Sequence, residues 1–191
     1  MPKRKRHQRW TGSTLRLKDN HTWKAPPGHK IVILDRGAAR FNYPESWHVE
    51  PASDALKLYD VAPPDDNVRL SVSLIHHTPN IDWSELPLDA LLQSTLEKSP
   101  DDSAQPVTGV ERIARKDVEI VWQEISWQDP VEHREARSRV AVARGRTVHA
   151  ILTLDVWPED WPRVKAMWLE VMRSLELDRY VKDPTRGDVV H

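Results

Sequence analysis

Four successive strand patterns, at 107–114, 118–127, 134–143 and 147–156, follow one another with connections too short to hold a helix. Strands joined that way pair as antiparallel neighbours, because a parallel pair needs a crossover of about a dozen residues or more. The last of them puts Val148, Ala150, Leu152, Leu154 and Val156 on one side and His149, Thr153 and Asp155 on the other. That period of two marks a strand lying on a core. In 118–127 the phase changes: Val118, Ile120 and Trp122 share one face, Ile125 and Trp127 the other. The break predicts a β-bulge near Gln123 or Glu124. Gly145, between Arg144 and Arg146, suits a hairpin tip.

A sheet that is apolar on one side needs a cover, and two stretches switch to a helical period. Leu88, Leu91, Leu92, Thr95 and Leu96 form one stripe of a helix predicted over 82–98, with Ser84 near its N-cap and Pro87 in its first turn. Trp161, Val164, Met167, Trp168, Val171, Met172 and Leu175 form a longer stripe, preceded by Glu159 and Asp160 at the positive end of the helix dipole. Each large apolar side chain buried there contributes roughly 1.5–3 kcal/mol, which makes this closing helix a main stabiliser.

Upstream, Val68, Leu70, Val72 and Leu74 alternate with Arg69, Ser71 and Ser73 as a half-buried strand. Shorter strands are expected at 30–34, 39–43, 47–50 and 56–60. Two of them sit within Arg40–Glu50, R-F-N-Y-P-E-S-W-H-V-E, where Pro44 ends one run and Trp47 and Val49 resume it. Trp47 is expected to pack under the closing helix, so that Trp47→Ala would cost ~3–5 kcal/mol. Runs of hairpin-linked strands with two amphipathic helices define an α+β fold: an antiparallel sheet of about six to eight strands covered by both helices.

The single domain is expected over residues 30–177, between a basic, partly disordered arm (1–29) and a polar, mobile tail (178–191). The net charge of −1 hides this asymmetry. Residues 1–30 carry nine Lys and Arg against Asp19, whereas Asp60–Asp102 holds nine acids and two bases. Cysteine is absent, which excludes disulfides, thiolate metal ligands and cysteine nucleophiles. No apolar run approaches the ~18 residues of a membrane helix, and no apolar stretch of a secretory signal follows Met1–Arg6. A reducing cytoplasm is the expected compartment.

The stretch F-N-Y-P-E-S-W-H-V (41–49), the long strand 68–75 and the closing helix W-P-R-V-K-A-M-W-L-E-V-M-R-S-L (161–175) resemble the PsbP-like α/β/α sandwich over roughly residues 31–177. That group includes PsbP, the Ran-binding import factor and DcrB- and LpqN-like proteins. The resemblance implies a scaffold used mainly for protein interaction, with no shared catalytic residues to carry over. Some DcrB-like relatives act as chaperones for secreted effectors, and here the basic residues 1–30 are an addition to the domain.

Nothing in the sequence assigns a catalytic residue, a cofactor or a metal site. His76 and His77 are strand neighbours that point to opposite faces, which disfavours chelation of one ion. There is no nucleophile elbow and no phosphate-cradling glycine loop. The candidate interaction surface consists of Trp127, Trp157 and Trp161 with Arg137 and Arg139. Trp157 and Trp161 form an aromatic–proline corner, and Trp127 is the residue most suited to line an exposed surface. The expectation is a non-catalytic protein-binding or adaptor module with a protein partner. Two alternatives belong to other classes: a small-molecule hydrolase using His149 or His76, and nucleic-acid association through Lys3, Arg4, Lys5, Arg6 and Arg9, with Trp10 stacking on a base.

Overall fold

The computed structural model describes residues 10–79, 81–97 and 104–190. The chain runs through β1 (His29–Leu34), β2 (Ala39–Pro44), β3 (His48–Pro51), β4 (Leu56–Tyr59) and β5 (Val68–His76) before helix α1 (Leu88–Leu96). Then come β6 (Gln105–Pro106), β7 (Glu111–Ala114), β8 (Glu119–Gln128), β9 (Glu135–Arg144) and β10 (Val148–Val156). Helix α2 (Trp161–Ser174) and the short strands β11 (Glu176–Leu177), β12 (Val181–Asp183) and β13 (Asp188–Val189) close it.

Eight strands form one antiparallel sheet in the order β3-β4-β5-β10-β9-β8, with β6 and β7 sharing the outer side of β8. Strand alternation sorts its side chains onto two faces. On one face Leu58, Leu70, Leu152, Leu154, Ala141 and Ile120 meet the α2 stripe of Val164, Trp168, Val171 and Leu175 in the main core. Phe41 from the hairpin β1–β2 completes that layer. On the other face α1 rests on β8 and β9, where Leu88 and Leu92 bury Val121, Val140 and Val142. The result is a sandwich with one long helix and one short one.

Several sequence expectations are corrected. No bulge interrupts β8: its pairing with β9 runs unbroken from Glu119–Arg144 to Gln128–Glu135. The apolar phase change arises because both faces of β8 are covered. Glu124 fills the α2-side place where an apolar residue was expected, and it is paired there with two arginines. The pattern at 107–114 splits into β6 and β7, since Val107 and Thr108 both donate to the Glu124 carbonyl before pairing resumes. Helix α1 is shorter than 82–98, because Pro87 is its N-cap in extended conformation and Asp82 binds Ser84 in a separate turn.

The strands 30–34, 39–43 and 47–50 do not lie in one sheet. β1 and β2 pair with β11 as a separate three-stranded sheet, and β3 begins the large one. Pro44 and Trp47, joined by a turn hydrogen bond, hand the chain from one to the other. Trp47 is half-buried at the margin of the core rather than enclosed beneath α2. The turn 35–37 depends on glycine: Gly37 has φ +109°, and a Cβ there would strike the Arg179 carbonyl.

Within the polar tail, Val181–Asp183 and Asp188–Val189 form a hairpin. β12 pairs with β13, and residues 18–23 clasp the connection between them. Lys18 Nζ lies 2.8 Å from Asp183, Thr22 N–H donates to the Arg186 carbonyl, and Trp23 Nε1–H donates to the Pro184 carbonyl at 2.7 Å. Trp10 packs against the core, while residues 11–17 between it and the clasp are exposed.

Candidate functional site

The short α1 roofs only part of its face. Next to it, across β4, β5 and β10, lie Lys57, Ser71, Ser73, Ile75, Ile151 and Thr153, all partly exposed. Antiparallel register places Ser71 directly opposite Thr153 and Ser73 opposite Ile151. Toward the β5 N-terminus the same face carries a polar row with one residue from each of five adjacent strands: His48, Tyr59, Arg69, Asp155 and Ser138. Arg69 holds the Asp155 carboxylate through Nη2 at 2.6 Å and Nε at 3.1 Å. Ser138 Oγ–H donates to the other carboxylate oxygen at 2.6 Å, and Trp127 Nε1–H donates to Ser138 Oγ at 3.0 Å. Burial, with Glu50 adding to it, pushes the Tyr59 phenol up, so it stays neutral. Arg69, Asp155, Ser138 and Trp127 are thus joined in one hydrogen-bonded chain within the row.

Sequence alternation put Arg69, Ser71 and Ser73 on the outer side of β5 and Asp155 on the outer side of β10. Only the pairing register reveals that Arg69 meets Asp155, and that register is not written in either strand alone.

The five candidate surface residues separate into two groups. Arg137, Arg139, Trp157 and Trp161 gather at the α2 side, together with Trp122, Glu124 and Arg134. Arg139 lies with its guanidinium carbon 3.4 Å from the centre of the Trp161 ring and 5.0 Å from Trp122, and its Nη2 is 2.6 Å from Glu124. Arg137 reaches the other Glu124 oxygen at 3.1 Å. Arg134 stacks on Trp157 at 3.6 Å and pairs with Glu159 at 2.6 Å. Trp127 is on the opposite face, in the polar row. The basic residues Lys3, Arg4, Lys5, Arg6 and Arg9 lie outside the described residues.

The two histidines singled out for a hydrolase lie on opposite faces. His76 is exposed, opposite Val148, with Nε2 3.1 Å from Asp35. His149 is fully buried and hydrogen-bonds His77, its Nδ1 2.6 Å from His77 Nε2. Trp83 stacks on the His77 ring at 5.1 Å and meets His149 edge-on at 6.0 Å. Among the described residues, no three His, Cys, Asp or Glu side chains gather as a metal-binding group. A cleft of about 520 Å³ near the end of α2 has cations on its wall, but Arg40 is paired with Glu176 and Arg173 with Glu170.

An antiparallel sheet between one long helix and one short helix is the arrangement of a PsbP-like α/β/α sandwich. Residues 30–181 match the family model described as Alr1449, and the chain belongs to that family. A relative, the uncharacterized protein alr1449 of Nostoc sp. (strain PCC 7120 / SAG 25.82 / UTEX 2576), is 38% identical over 191 residues, covering 98% of this chain and 97% of its own. Among solved structures, the cyanobacterial PsbP (CyanoP) of Synechocystis sp. PCC 6803 is similar with a TM-score of 0.58 at 14% identity, covering 80% of this chain and 94% of that one. LpqN of Mycobacterium tuberculosis, a protein involved in cell envelope biogenesis, is similar with a TM-score of 0.53 at 15% identity, covering 78% and 90%. At such identities the likeness is one of fold. No helix among the described residues is long and apolar enough to cross a membrane.

Proposed function

We propose that this protein is a non-catalytic protein-binding module, and that it takes a polypeptide segment of its partner on the half of the sheet face left open beside α1. The observation that carries this reading is the ordered polar row from His48 to Ser138 bordering the hydroxyls of Ser71, Ser73 and Thr153 and the isoleucines 75 and 151. Hydroxyls on a rigid sheet offer donors and acceptors to a peptide, and the isoleucines offer apolar contact. Because the charged members are already held in place, little ordering cost falls on association. The Trp–Arg corner serves the scaffold in this reading, since Glu124 and Glu159 already engage its guanidiniums.

Photo-crosslinking tests it. A photoreactive amino acid at Ser71 or Thr153 is expected to capture a discrete protein from native extract, and the same group at Lys165, exposed on α2, is expected to capture none. Equal capture at all three positions, or none at Ser71 and Thr153, overturns the assignment.

A further inference from the structure

The hydrogen bonds of His77, which is partly exposed, and of His149, which is fully buried, fix their protons. His77 Nδ1 lies 3.0 Å from the Arg146 carbonyl, which can only accept, so Nδ1 carries the hydrogen. In a neutral His77 the Nε2 lone pair is then free to accept, and the 2.6 Å contact makes His149 Nδ1–H its donor. The remaining nitrogen, His149 Nε2, is a bare acceptor inside a residue with no exposed surface, and it has no partner among the described residues. Trp83 covers both rings, and Arg144 ties the same connection to the sheet by donating to the Ser84 carbonyl at 2.6 Å and to the Leu86 carbonyl.

Another proton disturbs the arrangement. Added at His149 Nε2, it creates a buried imidazolium beside Arg144, which stands opposite His149 in β9. Added at His77 Nε2, it sets two N–H groups against each other, unless the His149 proton moves to Nε2 and remains without an acceptor. No neighbouring carboxylate compensates among the described residues. Asp82 is bound to Ser84 in its own turn, Glu119 of β8 faces Arg112 and Arg144, and Asp178 takes the backbone N–H groups of Arg146 and Thr147. Asp35 is engaged with His76 on the other face, and Glu85 makes no described contact with either ring.

We propose that His77 and His149 form an acid-sensitive latch that holds the Trp83 connection, and with it α1, against the sheet. Burial, then His77 and Arg144, lowers the His149 pKa to about 4. A lowered histidine value means that the folded state favours the neutral ring. The stabilisation is present above the free-imidazole value of about 6.5 and is lost as the pH falls from there toward about 4. What opens first is the contact that the neutral pair makes, and α1 has only a small cluster of its own to keep it in place.

Hydrogen exchange, corrected for the intrinsic pH dependence, tests this in the full chain. Between about pH 7 and about pH 4.5 the amides of Leu91 to Leu96 are expected to lose protection by about tenfold or more, while Leu152 and Leu154 in β10 keep theirs. His149→Phe, which retains a ring and cannot titrate, is expected to remove the pH dependence. An undiminished α1 in the wild type, an equal acid loss in the variant, or a loss shared by β10 overturns the latch. If His149→Phe does not fold, nitrogen-detected NMR of the wild-type imidazoles decides: both rings protonating near the free value overturn it, and protonation of the pair coincident with α1 opening supports it.

Discussion

Glu124 carries a charge at a place where the strand pattern calls for an apolar side chain. Its carboxylate is 6% exposed and is held by Arg139, itself 15% exposed, and by Arg137. A charge buried this way is tolerated because both oxygens are paired, and removing one partner leaves the other uncompensated. Glu124→Gln is expected to cost about 3 kcal/mol in urea unfolding, because Arg139 would stay between two indoles without its counter-ion. Adding Arg139→Met should recover most of that loss, and a double variant as weak as the single one would contradict the explanation. The sequence hid this residue behind the appearance of a bulge: a carboxylate at a core position is indistinguishable from a phase shift until its arginine partners on the next strand are known.

At the scale of elements, the two helices divide the work unequally. α2 presents a stripe that includes the fully enclosed Trp168, whereas Trp47 sits at the margin. Trp168→Ala is expected to cost about 3–5 kcal/mol and Trp47→Ala less than half as much, measured by chemical denaturation. Equal losses would show that the margin is as tightly packed as the centre. The sequence revealed α2, β5, β9 and β10 nearly to the residue, because their alternation or helical stripe spans many positions and local geometry agrees with burial. It over-extended α1, where Pro87 sets the start and the upstream residues turn on Asp82 instead. It did not reveal that β1 and β2 leave the main sheet, since a short apolar strand reads alike in either sheet. The open face follows from that shortness of α1, and its polar row from register; neither is visible in a single strand. His77 and His149 were legible as strand-end residues but not as partners, because they lie on different strands and nothing local signals that they meet.

At the scale of the molecule, the described residues close one sheet face and half of the other, and residues 18–23 fasten to the β12–β13 hairpin at its side. Trp23 is central to that fastening: it is buried, its N–H reaches Pro184, and the Arg40 guanidinium stacks on its ring at 4.6 Å. Trp23→Ala is expected to leave the main sheet folded while speeding tryptic cleavage after Lys182 and Arg186 by about tenfold or more. Cleavage at the parental rate would mean that β12 and β13 hold without the clasp.

The ion pair between Lys18 and Asp183 joins positions 165 apart in the chain. During vectorial synthesis it cannot form before Asp183 is made, after every strand of the main sheet and α2. The segment around Lys18 therefore lacks its clasp partner while the strands of the main sheet and α2 are being made. A chain cut short just before Asp183 has every strand of the main sheet but cannot make this ion pair.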